Sequence, residues 1–268
     1  MKLGFIGAGN MAGAIIKGFI NKNCVNSSDI YFIRQNKEKQ AEQAKELGIN
    51  GCDDYDSLIE NSDILFLGVK PVVFPTLLPQ IAKSVKKKNP LVVSMAAGLT
   101  TDSIRDMLGY DAKIIRIMPN VNAAIAMSTT AVCKNEFASD EDLATIKNLF
   151  STIGLTTEVP ENQFAIFTAI AGCSPAYVYM FIDGLARGAQ KMGMNKQKAL
   201  EIAASAVIGS ASMYAQSNEH PQELVDKVCS PGGTTIEGVT TLEEYKFTAG
   251  VVKAVENSIL KDRELSKK

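Results

Sequence analysis

The chain has 268 residues, of which 46% are hydrophobic and 21% are charged, with 28 Lys and Arg residues against 29 Asp and Glu residues. This length predicts one large domain or two unequal ones, and this composition is typical of a folded globular protein rather than a disordered chain. The formal net charge of −1 argues against a nucleic-acid-binding protein, which needs a broad positive surface.

Short β-rich segments alternate with helical patterns through the first 160 residues. The predicted strands are 2–6, 30–33, 64–67, 91–93, 113–116 and 129–132, and the predicted helices are 11–20, 37–47, 73–85, 101–108 and 140–150. Continuous apolar strands that alternate with helices predict parallel strands covered on both faces. We therefore expect an α/β fold with a doubly wound sheet in residues 1–160.

The β-rich segments stop after residue 160, and residues 161–268 are expected to form a smaller all-helical domain. Two of its stretches, 164–182 and 202–216, contain no charged residue. A helix without a polar face must be buried all round, and a helical domain of about 110 residues has too little mass to bury two of them. We expect a homo-oligomer in which a second subunit completes the packing. The alternative is a single, well-shielded core helix.

Neither targeting signals nor metal ligands stand out in the sequence. Five scattered cysteines without a C-x-x-C pair predict no disulfide framework, and one histidine, His220, leaves no recognisable zinc site. Glycines interrupt the apolar N-terminus, which predicts a buried strand rather than a signal peptide. Stretch 164–182 contains Pro175 and polar side chains, so we expect a broken buried helix pair rather than a membrane span. We therefore expect a cytoplasmic protein. His220 precedes Pro221 in a polar turn and is expected at the surface or at the start of a helix.

Residues 7–12 spell G-x-G-x-x-A between the first predicted strand and the first predicted helix. Gly7 permits a tight turn, Gly9 lets the backbone approach a pyrophosphate, and Ala12 allows the helix to pack closely on the strand. The motif therefore predicts a dinucleotide site, and the alternative is a plain glycine-rich turn. The cofactor contacts expected here are Gly7, Gly9, Asn10 and Met11.

The residues after the second strand distinguish between two dinucleotides. A site specific for NAD would have an acidic residue there to bind the ribose 2′-hydroxyl, whereas this chain has Arg34, Asn36 and Lys37. Two cations and an amide can bind a 2′-phosphate, so NADPH is favoured, with NADH as the other candidate. The alternative is that these are surface residues that open the second helix.

Three more stretches, 68–71, 94–98 and 116–120, follow strands whose carboxyl ends should meet the ligand cleft. Small residues can let the nicotinamide and its ribose lie against the backbone, while Lys70 and Asn120 can donate hydrogen bonds. Loop geometry or helix capping is the alternative for each residue. The cofactor contacts expected here are Val69, Lys70, Pro71, Ala96 and Ala97, and Asn120 is expected to bind substrate.

A Pro-Gly-Gly turn at 231–233 precedes a helical pattern in the second half. Such a turn presents free backbone N–H groups at a helix N-terminus, which suits a small carboxylate. The alternative is a turn between helices with Thr234 as N-cap.

Together these stretches resemble the pyrroline-5-carboxylate reductase family over essentially the whole chain, through 6–12, 69–71, 94–98, 116–120, 175–177 and 228–236. The resemblance implies a Rossmann domain and a helical dimerisation domain, a preference for NADPH, and reduction of a cyclic imine, 1-pyrroline-5-carboxylate, to L-proline, the last step of proline biosynthesis. It also implies homodimers that assemble further into decamers.

The same resemblance implies roles for individual residues. The substrate carboxylate is expected on the backbone N–H groups of Gly232, Gly233 and Thr234, with the Thr235 hydroxyl near the imine nitrogen as the catalytic group. The chain departs from the family pattern at Cys173 and Ser174, where a serine and a glycine are usual, and at Ala165, where an acidic residue is common.

The expected mechanism is direct hydride transfer to the imine carbon, which needs no metal and no covalent nucleophile. A β-hydroxyacid dehydrogenase would share the layout, but it should present a lysine on a long helix of the second domain, and the uncharged stretches offer none. The alternative from another class is a non-catalytic paralogue that binds NADPH as a sensor or scaffold.

Overall fold

The computed structural model describes residues 1–265. Its contacts divide the chain into two compact units, one comprising Met1–Gly172 with the chain from Ile259 onward, the other Cys173–Ser258. Residues 161–172 thus group with the first unit. The division between residues 160 and 161 that the sequence suggests stays a prediction.

The first unit contains an eight-stranded sheet in the order β3-β2-β1-β4-β5-β6-β7-β8. The strands are β1 (Leu3–Ile6), β2 (Ile30–Ile33), β3 (Asn50–Gly51), β4 (Ile64–Leu67), β5 (Leu91–Ser94), β6 (Ile114–Met118), β7 (Ser128–Lys134) and β8 (Gly154–Glu158). The central strand β1 pairs in parallel with β2 and β4, and Leu3 lies opposite both Ile30 and Ile64. The strand order reverses beside β1, which is the arrangement of a doubly wound sheet.

One strand pair departs from the expected parallel arrangement. Strands β6 and β7 are antiparallel, with Arg116 opposite Cys133. The connection between them contains only a 3₁₀ turn, Val121–Ile125, and a parallel crossover needs a dozen or more residues. Helix α6 then carries the chain across to β8, which is parallel to β7.

Helices cover both faces of this sheet. They are α1 (Asn10–Asn21), α2 (Lys37–Leu47), α3 (Tyr55–Glu60), α4 (Phe74–Lys88), α5 (Thr101–Leu108), α6 (Asp140–Ser151) and α7 (Phe164–Phe167). One core joins α1 and α6 to the sheet through Phe19, Phe66 and Phe150, and the other joins α3, α4 and α5 to the opposite face. Fully apolar strands such as β4 are buried because they face a core on each side. The predicted α/β fold with a doubly wound sheet is confirmed.

The chain from residue 168 onward is helical. After a π-helical turn at Thr168–Gly172 come α8 (Ser174–Lys191), α9 (Lys196–Gln216), α10 (Pro221–Val228), α11 (Thr234–Glu244) and α12 (Phe247–Leu265). Pro175 lies in the first turn of α8, where its missing N–H costs no helical hydrogen bond.

The two uncharged stretches are helical, but the single chain leaves much of them exposed. Met180 is 74% exposed, Ile208 64% and Met213 66%. The segment Glu161–Lys191 is long and apolar enough, by length and composition, to cross a membrane, and 17% of its apolar window is buried. Such a segment is weak grounds for a membrane span, since a helix that packs on a protein partner has the same composition.

Candidate functional site

The carboxyl ends of five parallel strands lie side by side at one edge of the sheet, since β2, β1, β4, β5 and β6 are neighbours with one direction. The Gly7 N–H donates to the Ile33 carbonyl at 2.9 Å, and the Gly68 N–H donates to the Ile6 carbonyl at 2.8 Å. These bonds join the loops after β1, β2 and β4. Ligands of open α/β sheets bind in the crevice outside such an edge.

The glycine turn after β1 is closely packed on one side and open on the other. Gly7 has a φ of +88°, and a Cβ added there would lie 2.9 Å from the Gly68 carbonyl oxygen. A Cβ at Gly68 would lie 3.0 Å from the Ala12 Cβ. A Cβ at Gly9 would meet no atom within 4 Å, so the backbone there is open to a ligand.

Helix α1 begins beside that opening without a side-chain cap. Gly9 is its N-cap and makes no side-chain hydrogen bond, so the first N–H groups of the helix lack partners from a cap. Free N–H groups and the positive end of the helix dipole bind an anion well. This end of the unit therefore fits the pyrophosphate of a dinucleotide.

A cleft of about 460 Å³ lies next to this helix N-terminus. Its walls include Gly9, Asn10, Gly13, Arg34, Lys39 and Gln43. Of these residues, Gly9, Asn10 and Arg34 are expected at the dinucleotide from the sequence, whereas Lys39 and Gln43 are not. Lys39 and Gln43 lie on α2, whose many charged and polar residues are typical of a solvent-exposed helix. Nothing in that pattern indicates that these two residues line a cleft.

The three polar residues after β2 point in different directions. The Arg34 guanidinium donates from Nη1 to Gln43 Oε1 at 2.7 Å and lines the cleft. The Asn36 side chain caps α2 by accepting from the Lys39 N–H at 2.9 Å. The Lys37 amine donates to the carbonyls of Cys52 and Asp53 at 3.3 and 3.1 Å. Cofactor binding by Asn36 and Lys37 stays a prediction.

The remaining residues expected near the dinucleotide follow β4 and β5 or open α1. Lys70 is exposed and precedes the 3₁₀ turn Pro71–Val73 as its N-cap, while Val69 is half-buried. Ala96 is buried, and its N–H donates to Ser94 Oγ at 3.3 Å, whereas Ala97 is exposed. Met11 packs at the edge of the core. Their contacts with a cofactor stay predictions.

Asn120 is buried just beyond the end of β6, and its side chain bonds within the first unit. Its Nδ2 donates to the Ala171 carbonyl at 3.0 Å, and its Oδ1 accepts from the N–H groups of Asn122 and Thr129, both at 3.3 Å. These bonds tie the strand end to the loop before β7 and to the π-helical turn. Substrate binding by Asn120 stays a prediction.

The second unit contains the Pro-Gly-Gly turn, which runs into α11. Gly232 has a φ of +64°, and the Gly233 N–H donates to the Ser230 carbonyl at 3.0 Å. Gly233 is the N-cap of α11 and makes no side-chain hydrogen bond, so Thr234 is the first helical residue rather than the cap. Thr235 is the second, and the N–H groups of both lie in the unbonded first turn.

The Gly233 N–H is thus engaged in the turn, while the helix start offers N–H groups to an anion. A Cβ at residue 233 would lie 2.3 Å from Ser230 Oγ and 3.1 Å from the Ser230 carbonyl oxygen, so a larger residue there would require the Ser230 side chain to move. Carboxylate binding by Gly232, Gly233 and Thr234, and a catalytic Thr235, stay predictions.

A buried polar cluster lies in the body of the first unit. Arg116 on β6 pairs with the Glu161 carboxylate at 3.2 Å and lies over the Phe164 ring, 4.5 Å from its centroid. The Thr101 N–H and hydroxyl donate to the same carboxylate at 2.8 and 3.0 Å. Burial raises the pKa of Asp262, and Arg116 opposes that rise. These bonds join β6, the start of α5 and the segment leading into α7.

Neither the histidine nor the buried thiol of Cys133 is placed as a catalytic group. His220 is the N-cap of α10, where its Nδ1 accepts from the Gln222 N–H at 3.2 Å. Burial raises the pKa of the Cys133 thiol to about 12, which makes it a poor nucleophile. Within residues 1–265, no three His, Cys, Asp or Glu side chains are grouped to hold a metal ion.

Comparison with known proteins matches two segments of the chain to family models. Residues 161–265 match the model described as pyrroline-5-carboxylate reductase dimerisation, and residues 2–98 match NADP oxidoreductase coenzyme F420-dependent. The chain is 41% identical over 266 residues to the pyrroline-5-carboxylate reductase of Escherichia coli strain K12, covering 99% of this chain and 98% of that one.

Solved structures agree with these matches over the full length. A 1-pyrroline-5-carboxylate reductase from Streptococcus pyogenes is 38% identical, with a TM-score of 0.89 and 98% of each chain covered. A pyrroline carboxylate reductase from Plasmodium falciparum, solved with NADP bound, is 29% identical, with a TM-score of 0.90, 99% of this chain and 98% of that one covered. The chain therefore belongs to the pyrroline-5-carboxylate reductase family.

Proposed function

We propose that this chain catalyses the NADPH-dependent reduction of 1-pyrroline-5-carboxylate to L-proline by direct hydride transfer to the cyclic imine, in the last step of proline biosynthesis. The observation that carries the proposal is a pair of helix N-termini, those of α1 and α11, which each follow a glycine turn and lack a side-chain cap. One suits a pyrophosphate and the other a small carboxylate. Full-length similarity to reductases with this name supports the assignment.

The residues of the first unit bind and orient the dinucleotide. The backbone at Gly9 and Asn10 binds the pyrophosphate, and Arg34 binds the 2′-phosphate that distinguishes NADPH from NADH. A bound NADPH supplies the hydride. The small residues Ala96 and Ala97 leave room for a flat ring beside the backbone.

The residues of the second unit bind the substrate. The turn at Gly232, Gly233 and Thr234 binds the carboxylate, and the Thr235 hydroxyl donates a hydrogen bond to the imine nitrogen. Holding two reactants in line accounts for roughly 7 to 11 kcal/mol of the barrier, so orientation by these groups suffices without a metal or a covalent intermediate.

The active form in this proposal is a cytoplasmic homodimer, which assembles further into a decamer. The match of residues 161–265 to a dimerisation model and the exposed apolar side chains of α8 and α9 support the dimer. Burial of these side chains against a second copy removes apolar surface from water.

The test is an assay of NADPH oxidation with 1-pyrroline-5-carboxylate, followed by absorbance of the dinucleotide, with product L-proline quantified separately. We expect oxidation only when the imine is present, and a lower Michaelis constant for NADPH than for NADH. A reaction without imine controls for adventitious oxidation. The rival function, a sensor or scaffold, predicts NADPH binding without turnover, and that result would overturn the proposal.

A further inference from the structure

Helix α2 buries two glutamines on its inner face. Gln40 is 6% exposed and Gln43 is 8% exposed, and they are the buried residues of this helix. A surface helix normally buries an apolar stripe, because an amide taken out of water costs free energy unless its hydrogen bonds are replaced. These two amides therefore have specific partners.

Both glutamines bond to Arg34. Gln40 Oε1 accepts from the Arg34 backbone N–H at 2.8 Å, and Gln40 Nε2 donates to the Cys52 carbonyl at 2.8 Å. Gln43, one helical turn later, accepts from Arg34 Nη1 at 2.7 Å. Gln40 thus holds the backbone of residue 34, and Gln43 holds one edge of its guanidinium.

The remaining donors of Arg34 are left for the cleft. A guanidinium has five N–H donors in a rigid fork, and its pairing with a phosphate depends on the orientation of that fork. Gln43 also lies against α1, since a Cβ added at Gly13 would lie 3.4 Å from Gln43 Nε2. The amide therefore lies between α1 and α2, two helices whose residues line the cleft.

The charges of the cleft favour a second cation on α2. Lys17 pairs with Glu46 at 2.7 Å, which neutralises two of the charged wall residues. Lys39 lines the cleft with Arg34 and is exposed, and no ion pair involving it is found within residues 1–265. Glu42 is the other acidic wall residue. Lys37, whose amine bonds to the carbonyls of Cys52 and Asp53, does not line this cleft.

We propose that Gln43 is a positioning residue that orients the Arg34 guanidinium toward the 2′-phosphate of the dinucleotide, and that Lys39, rather than Lys37, supplies the second cation to that phosphate. This inference rests on the proposed use of NADPH. It assigns part of the specificity for the phosphorylated dinucleotide to a buried amide that acts through the Arg34 guanidinium.

The test measures binding of two small probes by isothermal titration calorimetry. Adenosine 2′,5′-bisphosphate and adenosine 5′-monophosphate differ only in the 2′-phosphate, and the ratio of their affinities isolates that group. Replacing Gln43 by Met keeps a linear side chain and removes the acceptor. We expect Gln43→Met to lower the ratio about fivefold, in keeping with a hydrogen bond worth about 1 kcal/mol.

A double-mutant cycle separates positioning from a general structural role. In an Arg34→Ala background, Gln43→Met should change the ratio no further, because the group that it orients is gone. A structural role would lower the affinity for both probes and the unfolding temperature in either background. Full additivity of the two substitutions would contradict the proposal.

Lys39→Ala should lower the ratio roughly threefold to fivefold, as for a partly exposed ion pair worth up to about 1 kcal/mol. Lys45→Ala is the matched control, because it removes the same charge from an exposed site on α2 outside the cleft. A loss in Lys37→Ala with none in Lys39→Ala would overturn the second assignment. Failure of the unsubstituted chain to bind either probe would instead count against the use of NADPH itself.

Discussion

Gly7 and Gly9 are two residues apart, and a side chain is excluded at the first by close packing but at the second meets open space. Gly7 is required because its φ is positive and a side chain there would collide with the Gly68 carbonyl. Gly9 leaves its backbone uncovered, since a Cβ added there would meet no atom within 4 Å, and this opening is what the proposed pyrophosphate contact needs. The motif therefore combines a packing constraint and a binding constraint.

Thr235 offers the sharpest test of the chemistry at residue scale. In the proposed role, the Thr235 hydroxyl lies near the imine nitrogen and assists protonation. Thr235→Val should then lower the turnover number by roughly tenfold or more, within the usual range of acid–base contributions. Steady-state kinetics measures this, and the unfolding temperature shows whether the fold is intact. Thr235→Ser restores the hydroxyl and should recover most of the activity. An unchanged turnover number in Thr235→Val would eliminate the role.

The sequence predicts the glycine turn of the site, but it does not predict where the polar side chains around the turn point. The turn at Gly7 and Gly9 depends on local backbone geometry, which the motif specifies. The Lys37 amine bonds to the carbonyls of Cys52 and Asp53, and the Gln43 side chain bonds to Arg34. These partners are separated from Lys37 and Gln43 along the chain, and only the fold brings them together. The sequence therefore predicts a basic residue, Arg34, at the end of β2, but it does not predict the hydrogen-bond partners of Lys37 and Gln43.

At the scale of elements, helix α6 has the most complete cap in the first unit. The Ser139 Oγ accepts from the Asp142 N–H at 3.0 Å, and the Asp142 carboxylate accepts from the Ser139 N–H at 2.9 Å. Burial raises the pKa of Asp142, but the hydrogen bonds from Ser139 and the nearby Lys113 outweigh it and leave the pKa below its usual value. The capping box therefore stabilises the ionised form.

This cap makes part of the stability depend on pH. A carboxyl group with a lowered pKa in the folded state contributes stability that is fully present above its unfolded pKa, about 4, and is lost as the pH falls through the folded value. Asp142→Asn should destabilise the fold at pH 7 by about 1 kcal/mol, as other capping losses do. The difference from the unsubstituted chain should shrink between pH 5 and pH 3.

Urea unfolding at pH 7, 5 and 3 measures that difference. Asp140→Asn is the control, because Asp140 is also in the first turn of α6 but is not part of the capping box. A difference that stays constant with pH would show that the Asp142 charge does not contribute.

The elements that the sequence predicted are those with a strong apolar pattern. The strands β1, β2 and β4 and the helices that flank them carry continuous or periodic apolar residues. The two-residue strand β3 and the partly polar β8 have no such pattern and were missed. The reversal of β7 depends on the length of the turn before it, which strand patterns do not encode.

At the scale of the whole molecule, the exposed apolar side chains of α8 and α9 require an explanation. Large contiguous apolar patches on a chain mark interaction surfaces. The sequence predicted the need for a second subunit from the absence of charge in two stretches, and the match to a dimerisation model covers both of them. The same apolar composition makes the segment Glu161–Lys191 long and apolar enough to cross a membrane.

Analytical ultracentrifugation tests this explanation. We expect a dimer or a larger assembly at micromolar concentration, and Ile208→Asp should shift it toward monomer because a charge would be buried in the apolar contact. Gln80→Asp, at an exposed site on α4, is the matched control and should leave the assembly unchanged. A monomer without any substitution would contradict the expectation.

The return of α12 to the first unit bears on how the protein is made. The chain leaves that unit after Gly172 and rejoins it at Ile259. Burial in this segment raises the pKa of Asp262, and Arg116 opposes that rise. Domains generally fold in the order in which the ribosome synthesises them. Here the nucleotide-binding half cannot complete its contacts until residues 259–265 have been translated. Its maturation during synthesis is therefore coupled to that of the whole helical insertion.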